Sequence, residues 1–311
     1  MKYIATFPAG TFPLIVKYLK GFSVVDFKIL EHDESSVTFD SALNIERLIE
    51  IRFFTNVFVV IENVSRIKKL IKGEHFRLIC ISGGKPVSMA LDNKSKFERQ
   101  IEHDFKLTPN SRLSRNDFYV IKRNDGTSLF SLRLPRAKFK RDNLAPGELR
   151  PELANVLCLA AGVRAKDTIV DMFAGTGAIL YEAVRGFGVK KAVAVDLNVL
   201  PDRHEMPQIV WHKTNLIGGL DFIKSGSVDR VVTDPPWGKY DSVVDLEALY
   251  KGFLLEASRI LKCAGVMVVL SAFSGFDECL AAQPNLKVLG RWDVLVSGKK
   301  ATIYKVQKGL G

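Results

Sequence analysis

The chain has 311 residues, is 47% apolar and carries a formal net charge of +11. That length and apolar content suit two packed domains, and the surplus of base points to a polyanionic partner. The four cysteines (Cys80, Cys158, Cys263, Cys279) make no C-x-x-C pair and the five histidines no ligand spacing, which excludes a disulfide scaffold or zinc module and suits a reducing compartment; no run approaches the roughly 20 apolar residues of a membrane span.

The first 64 residues alternate short strands and helices. Strands are expected at Tyr3–Phe7, Ser36–Phe39 and Val57–Glu62, with helices at Thr11–Leu19 and Ile45–Ile51. This pattern reads as an α+β, ferredoxin-like domain. The apolar start is broken by Pro8, Gly10 and Pro13 and lacks a charged leader and cleavage site, so the expected location is the cytoplasm. Residues 65–140 continue with a strand at Phe76–Ser82 and a helix at Lys94–Phe105. A hairpin follows, Phe118–Arg123 and Ser128–Arg133 around Asn124-Asp125-Gly126-Thr127. Residues 135–150, with Pro135, Pro146 and Gly147, read as a linker, and 141–311 as the second domain.

Charge is uneven along the chain. Residues 1–150 hold 26 Lys and Arg against 17 Asp and Glu, whereas residues 151–311 hold 19 against 17. Arg112, Arg115, Lys122, Arg123, Arg133, Arg136, Lys138, Lys140 and Arg141 crowd one stretch with few acids between them. Such a cluster suits sequence-independent contacts to phosphates; an ordinary solvated basic face is the competing reading.

The second domain alternates strands and helices, which implies a mostly parallel sheet. Thr168–Val170 is its first strand, followed by the turn Asp171-Met172-Phe173-Ala174-Gly175-Thr176-Gly177 and a helix from Ala178. The third glycine of the dinucleotide pattern is missing, since the chain runs Gly175-Thr176-Gly177-Ala178-Ile179-Leu180. Ala192–Val195 is the next strand and ends in Asp196, placed to accept ribose hydroxyls or simply to cap a helix. After a third strand, Ile209–Trp211, Asn215 sits either at an adenine edge or in a plain turn. Then Val231-Val232-Thr233 leads into Asp234-Pro235-Pro236-Trp237.

That last tetrapeptide has a chemical logic. The exocyclic amine of a nucleobase is a poor nucleophile because its lone pair is delocalised into the ring. A carboxylate and a nearby carbonyl can each accept one of its N–H groups and orient the lone pair. The prolines remove backbone donors and expose a carbonyl, here that of Pro235, and Trp237 offers a face for a stacked base. A simple strand-ending turn is the alternative.

Together these segments resemble the Rossmann-type S-adenosylmethionine-dependent amino-methyltransferases. More narrowly, they resemble RNA guanosine-N2 methyltransferases with an N-terminal THUMP-type RNA-binding region. Leu149-Arg150-Pro151-Glu152-Leu153-Ala154 resembles the helix start of that family, and Asp234-Pro235-Pro236-Trp237-Gly238-Lys239 its acceptor motif. The terminal pair Lys287–Val296 and Ala301–Val306 resembles the antiparallel strands that close methyltransferase sheets. The resemblance implies that Asp171, Phe173, Gly175, Gly177, Asp196 and Asn215 hold S-adenosylmethionine and that Asp234, Pro235, Pro236 and Trp237 act on the base. It implies methyl transfer to guanine N2 in tRNA, by a monomer, without a metal. Two departures accompany it: Pro201 and Pro207 leave little room for a helix after Asp196, and residues 65–140 make a shortened THUMP-like region. The rival readings are an adenine-N6 methyltransferase acting on DNA or rRNA and a non-catalytic RNA-binding protein; a nicotinamide-dependent reductase fits less well.

Overall fold

The computed structural model describes residues 1–23, 26–123, 126–137, 144, 147–198, 206–216, 219–238 and 245–309. They divide into two compact units, one of Met1–Phe7 and Leu19–Ala137, the other of Pro8–Tyr18 and Lys138–Gly311.

In the first unit, β1 (Lys2–Thr6) is followed in the chain by α1 (Phe12–Leu19), most of which belongs to the second unit. Next come β2 (Lys28–His32), β3 (Ser36–Asp40), α2 (Ile45–Ile49) and β4 (Asn56–Val60). The spatial order is β2-β3-β1-β4 with every pair antiparallel, the ferredoxin-like arrangement. Asn44 caps α2 by accepting the Arg47 N–H at 2.9 Å. Tyr3, Phe27, Phe39 and Phe54 stack in the core, with Phe27 and Phe39 centred 3.9 Å apart.

The same sheet runs on past residue 64. After α3 (Val64–Lys68) come β5 (His75–Ser82), β6 (Lys85–Pro86), α4 (Leu91–Phe105), β7 (Thr108–Pro109), β8 (Asn116–Lys122) and β9 (Ser128–Arg133). β9 pairs with β4, so the expected boundary at 64 falls inside one continuous sheet of order β2-β3-β1-β4-β9-β8-β5-β6. The expected hairpin is β8–β9, closed by the Arg123 N–H on the Thr127 carbonyl at 2.8 Å; Asn124 and Asp125 lie outside the described residues.

The second unit is a seven-stranded sheet. Its elements are α5 (Pro151–Ala161), β10 (Thr168–Asp171), α6 (Ala178–Phe187), β11 (Lys191–Asp196), β12 (Ile209–Lys213), β13 (Val228–Thr233), α7 (Leu246–Ile260), β14 (Leu261–Ser271), α8 (Phe276–Ala281), β15 (Leu286–Val296) and β16 (Lys299–Lys308). α5 opens on Pro151, whose missing N–H costs nothing in a first turn. The strand order is β12-β11-β10-β13-β14-β16-β15, with β10 to β14 parallel and β16 antiparallel between β14 and β15. The chain reverses direction of travel across the sheet between β10 and β13, and the crevice at their carboxyl ends is where such sheets take ligands. Val170, Val231, Met267 and Val269 pack against Leu249, Phe253 and Ala257 of α7, all buried. The shortened helix expected after Asp196 falls on residues 199–205, outside the described residues.

Candidate active site

The glycine turn is tied to the neighbouring strand by its own backbone. The Ala174 N–H donates to the Val195 carbonyl at 3.0 Å and the Gly175 N–H to Asp196 Oδ2 at 2.7 Å. Asp196 Oδ1 accepts the Asn198 N–H at 2.8 Å. Gly177 has φ of 80°, and a Cβ there would lie 2.8 Å from the Trp211 ring, so any side chain would strain the backbone and force the indole to shift. Gly175 is also at positive φ, but a Cβ on it would meet open space, which leaves room for a ligand against the backbone.

The two halves of the site meet at one hydroxyl. Thr233, fully buried at the end of β13, donates from Oγ1 to Asp171 Oδ1 at 2.6 Å. The same Oγ1 accepts the Phe173 N–H at 3.2 Å, and that N–H also reaches Asp171 Oδ1 at 3.2 Å. β10 and β13 are hydrogen-bonded neighbours, so the turn after one and the loop after the other are a single junction.

Burial pushes the Asp171 carboxyl up to about 7, against the pull of the Thr233 and Phe173 hydrogen bonds and with a further push from Asp196. Burial likewise raises Asp234 to about 7, against the Trp237 hydrogen bond and with the charge of Asp171 adding to it. Among the described residues, neither has a Lys or Arg in ion-pair range. A carboxyl raised on folding contributes stability that is present below its unfolded value near 3.8 and lost as pH rises through about 7. The ligand-free protein should therefore lose on the order of a few kcal/mol of stability between about pH 4 and pH 7 from this pair. Thermal melts across that range check it: Asp171→Asn, neutral throughout, should make the profile shallower and leave the share of Asp234, and an unchanged slope would refute the assignment.

The acceptor loop is organised internally. Trp237 Nε1 donates to Asp234 Oδ1 at 2.9 Å, which fixes the half-buried indole and leaves Oδ2 as the second acceptor of that carboxyl. Pro235 is buried, and the Pro236 carbonyl accepts from Tyr250 Oη at 3.1 Å. Thr233, Tyr250 and Ser271 were not singled out by sequence reasoning. Thr233 adjoins Asp234 and could have been found as a polar residue ending an apolar strand; Tyr250 and Ser271 bear no local signal.

Other expected ligands are placed variously. Phe173 turns partly into the core, edge-on to Phe253 at 5.6 Å, so its backbone rather than its ring serves the junction. Asn215 is exposed just past β12. Leu197, 59% exposed and directly after Asp196, is an apolar plate that the sequence reading passed over. Among the described residues no group of three or more His, Cys, Asp or Glu could hold a metal ion.

The basic cluster separates into two kinds. Arg112, Arg115 and Lys122 are exposed in the first unit. Arg123 is spent internally, 2.8 Å from Glu31 and 2.9 Å from Thr38 Oγ1. Arg133 pairs with Asp117, which also takes a two-pronged bond from Arg77 at 2.9 and 3.1 Å. Arg136 is half-buried, and Lys138, Lys140 and Arg141 lie outside the described residues.

A parallel sheet reversed at β10/β13 and closed by an antiparallel β16 inserted before β15 is the class I methyltransferase fold. Residues 138–191 and 203–299 match the family described as UPF0020, RMKL-like, methyltransferase domain. Over 139 residues the chain is 34% identical to the tRNA (guanine(10)-N2)-dimethyltransferase of Methanothermobacter thermautotrophicus, a match that spans 43% of this chain and 41% of the relative. The structure of TrmN from Thermus thermophilus superposes with a TM-score of 0.78 at 16% identity, over 99% of this chain and all of that one. SMU.472, a methyltransferase-like protein complexed with SAH, gives 0.70 at 12% identity over 98% and 97%.

Proposed function

We propose that this protein transfers a methyl group from S-adenosylmethionine to the exocyclic N2 of a guanosine in tRNA. The observation that carries the reading is the Thr233 hydroxyl, which joins the Asp171 turn and the Asp234 loop at adjacent strand ends. A cofactor held by one half is thereby brought against a base held by the other.

The residues suit the cofactor. Gly175 leaves space at the backbone, Asp196 keeps lone pairs for ribose hydroxyls beyond its two backbone donors, and the Asp171 carboxyl, with no Lys or Arg in ion-pair range among the described residues, complements a cation. When bound, S-adenosylmethionine supplies an electrophilic methyl carbon on a positively charged sulfur. Asp234 Oδ2 and the Pro235 carbonyl accept from the exocyclic amine and turn its lone pair outward. Trp237, anchored through Nε1, stacks the extruded base, worth roughly 1–3 kcal/mol. Asp234 Oδ2, with its carboxyl near 7, takes the proton that the amine releases.

The tRNA and guanine assignments rest on the activity for which the Methanothermobacter relative is named. Arg112, Arg115 and Lys122 supply phosphate contacts from the shortened THUMP-like region of residues 65–140, and affinity from such contacts falls with salt. Nucleoside mass spectrometry of total tRNA with and without the gene is the test. The expected result is loss of N2-methylguanosine or its dimethyl form; loss of N6-methyladenosine instead would overturn the reading.

A further inference from the structure

Behind the acceptor loop lies a chain of hydrogen bonds whose direction follows from counting protons. Tyr250 on α7 is fully buried, with Oη 3.1 Å from the Pro236 carbonyl and 2.8 Å from Ser271 Oγ. Ser271, itself buried at the end of β14, accepts the Phe273 N–H at 3.1 Å. A carbonyl can only accept, so the single phenolic proton of Tyr250 goes to Pro236. Ser271 must then donate to Tyr250, which it can do because its oxygen already accepts from Phe273. The path runs one way: Phe273 N–H to Ser271, Ser271 to Tyr250, Tyr250 to the Pro236 carbonyl. Burial raises the Tyr250 phenol, with Asp234 adding to the rise, so it stays a donor at any working pH.

This relay fixes the orientation of the loop. Asp234 Oδ1 accepts the Trp237 indole N–H and the Pro236 carbonyl accepts the Tyr250 hydroxyl. Among the described residues no donor reaches Asp234 Oδ2 or the Pro235 carbonyl, two acceptors for the two N–H groups of an amine. We propose that Tyr250 is a positioning residue of the acceptor loop: held by Ser271, its hydroxyl pins the Pro236 carbonyl so that the loop presents Asp234 Oδ2 and the Pro235 carbonyl together. The inference rests on the amine-methylating role proposed above and deepens it. Tyr250 touches neither substrate nor cofactor in this scheme and acts only through the loop.

The side chain allows a clean test. Its ring packs against Phe273 at 4.8 Å, Phe276 at 5.5 Å and Phe253 at 6.3 Å, so Tyr250→Phe keeps the packing and deletes only the hydroxyl. A lost bond to a partly buried carbonyl should lower kcat roughly ten- to a hundredfold. Affinity for S-adenosylmethionine should stay within about twofold, because its ligands belong to the other half of the site. Ser271→Ala should fall between Tyr250→Phe and wild type, since Tyr250 then keeps its donor but loses the group that orients it.

A readout independent of turnover is the indole N–H resonance. The chain has three tryptophans, Trp211, Trp237 and Trp292, and Trp237→Phe assigns the peak of the loop. In Tyr250→Phe the Trp237 peak should move while those of Trp211 and Trp292 stay. An unmoved Trp237 peak would overturn the proposal. So would cofactor affinity and melting temperature falling in step with kcat, which would mark general damage. A wild-type protein that methylates no RNA would sink the functional reading instead, and the Trp237 peak would still decide whether Tyr250 sets the loop.

Discussion

Replacing Asp234 by alanine is expected to lower kcat on RNA by about 10³-fold while the affinity for S-adenosylmethionine changes by no more than a few-fold. Removing one preorganised group at a reacting centre typically costs 10² to 10³. In the proposed scheme Asp234 has three tasks at once: accepting from the amine, receiving its proton and anchoring the indole of Trp237, to which Oδ1 is bonded at 2.9 Å. Loss of all three places the effect at the upper end. Trp237→Phe separates them, since it keeps an aromatic face and removes only the anchor, and its loss should be nearer tenfold. Asp234→Asn keeps the shape but puts an amide where a carboxylate is needed, so it should resemble alanine more than wild type. Single-turnover assays with labelled cofactor, beside calorimetry for cofactor binding, measure both quantities. A variant within tenfold of wild-type kcat would remove Asp234 from the chemistry.

The second large effect should appear in binding. Asp196→Ala is expected to weaken S-adenosylmethionine by about 10²- to 10³-fold, with a far smaller effect on RNA affinity. Hydrogen bonds to a charged acceptor contribute about 1.5–3 kcal/mol each, and two ribose hydroxyls would lose theirs. The carboxylate also organises the site before any ligand arrives, since it holds the Gly175 N–H at 2.7 Å and the Asn198 N–H at 2.8 Å. Asp196→Asn tests that second role, because its amide can accept at one position only and must set a donor against a donor at the other. Calorimetric titration reads the loss directly. Unchanged cofactor affinity in the alanine variant would show that the strand-end carboxylate is a backbone brace and nothing more.

Much of the second unit was legible in the residues. Its strands are apolar runs because parallel strands are buried on both faces, and carboxylates mark three of their ends: β10 closes on Asp171, β11 on Asp196, and β13 stops just before Asp234. Positive φ at Gly175, Gly177, Gly188 and Gly298 falls where Gly signals turns. The terminal hairpin was placed two residues too wide. Ser297 and Gly298, at φ of 50° and 81°, close it alone, and β16 begins at Lys299. In the first unit the expected strands and helices stand within a few residues of their places, yet β2, α3, β6 and β7 were not expected and the single sheet was not foreseen. The pairing of β4 with β9 joins residues more than seventy apart, and a strand does not announce its partner.

What the chain by itself determined is the set of local chemistries: which stretches bury, which turns demand glycine, and which short polar segments follow strands. Those depend on neighbours in sequence, on period and on backbone sterics. Only the tertiary structure decided which charges are spent and which remain. Arg123 and Arg133 look identical to Arg112 on paper, but Glu31 and Asp117 claim the first two through space. It alone made Thr233 the link between two loops and Tyr250 the support of one. Hydrogen bonds and burial are properties of distance in three dimensions, and the partners here stand 14 to 92 positions apart along the chain.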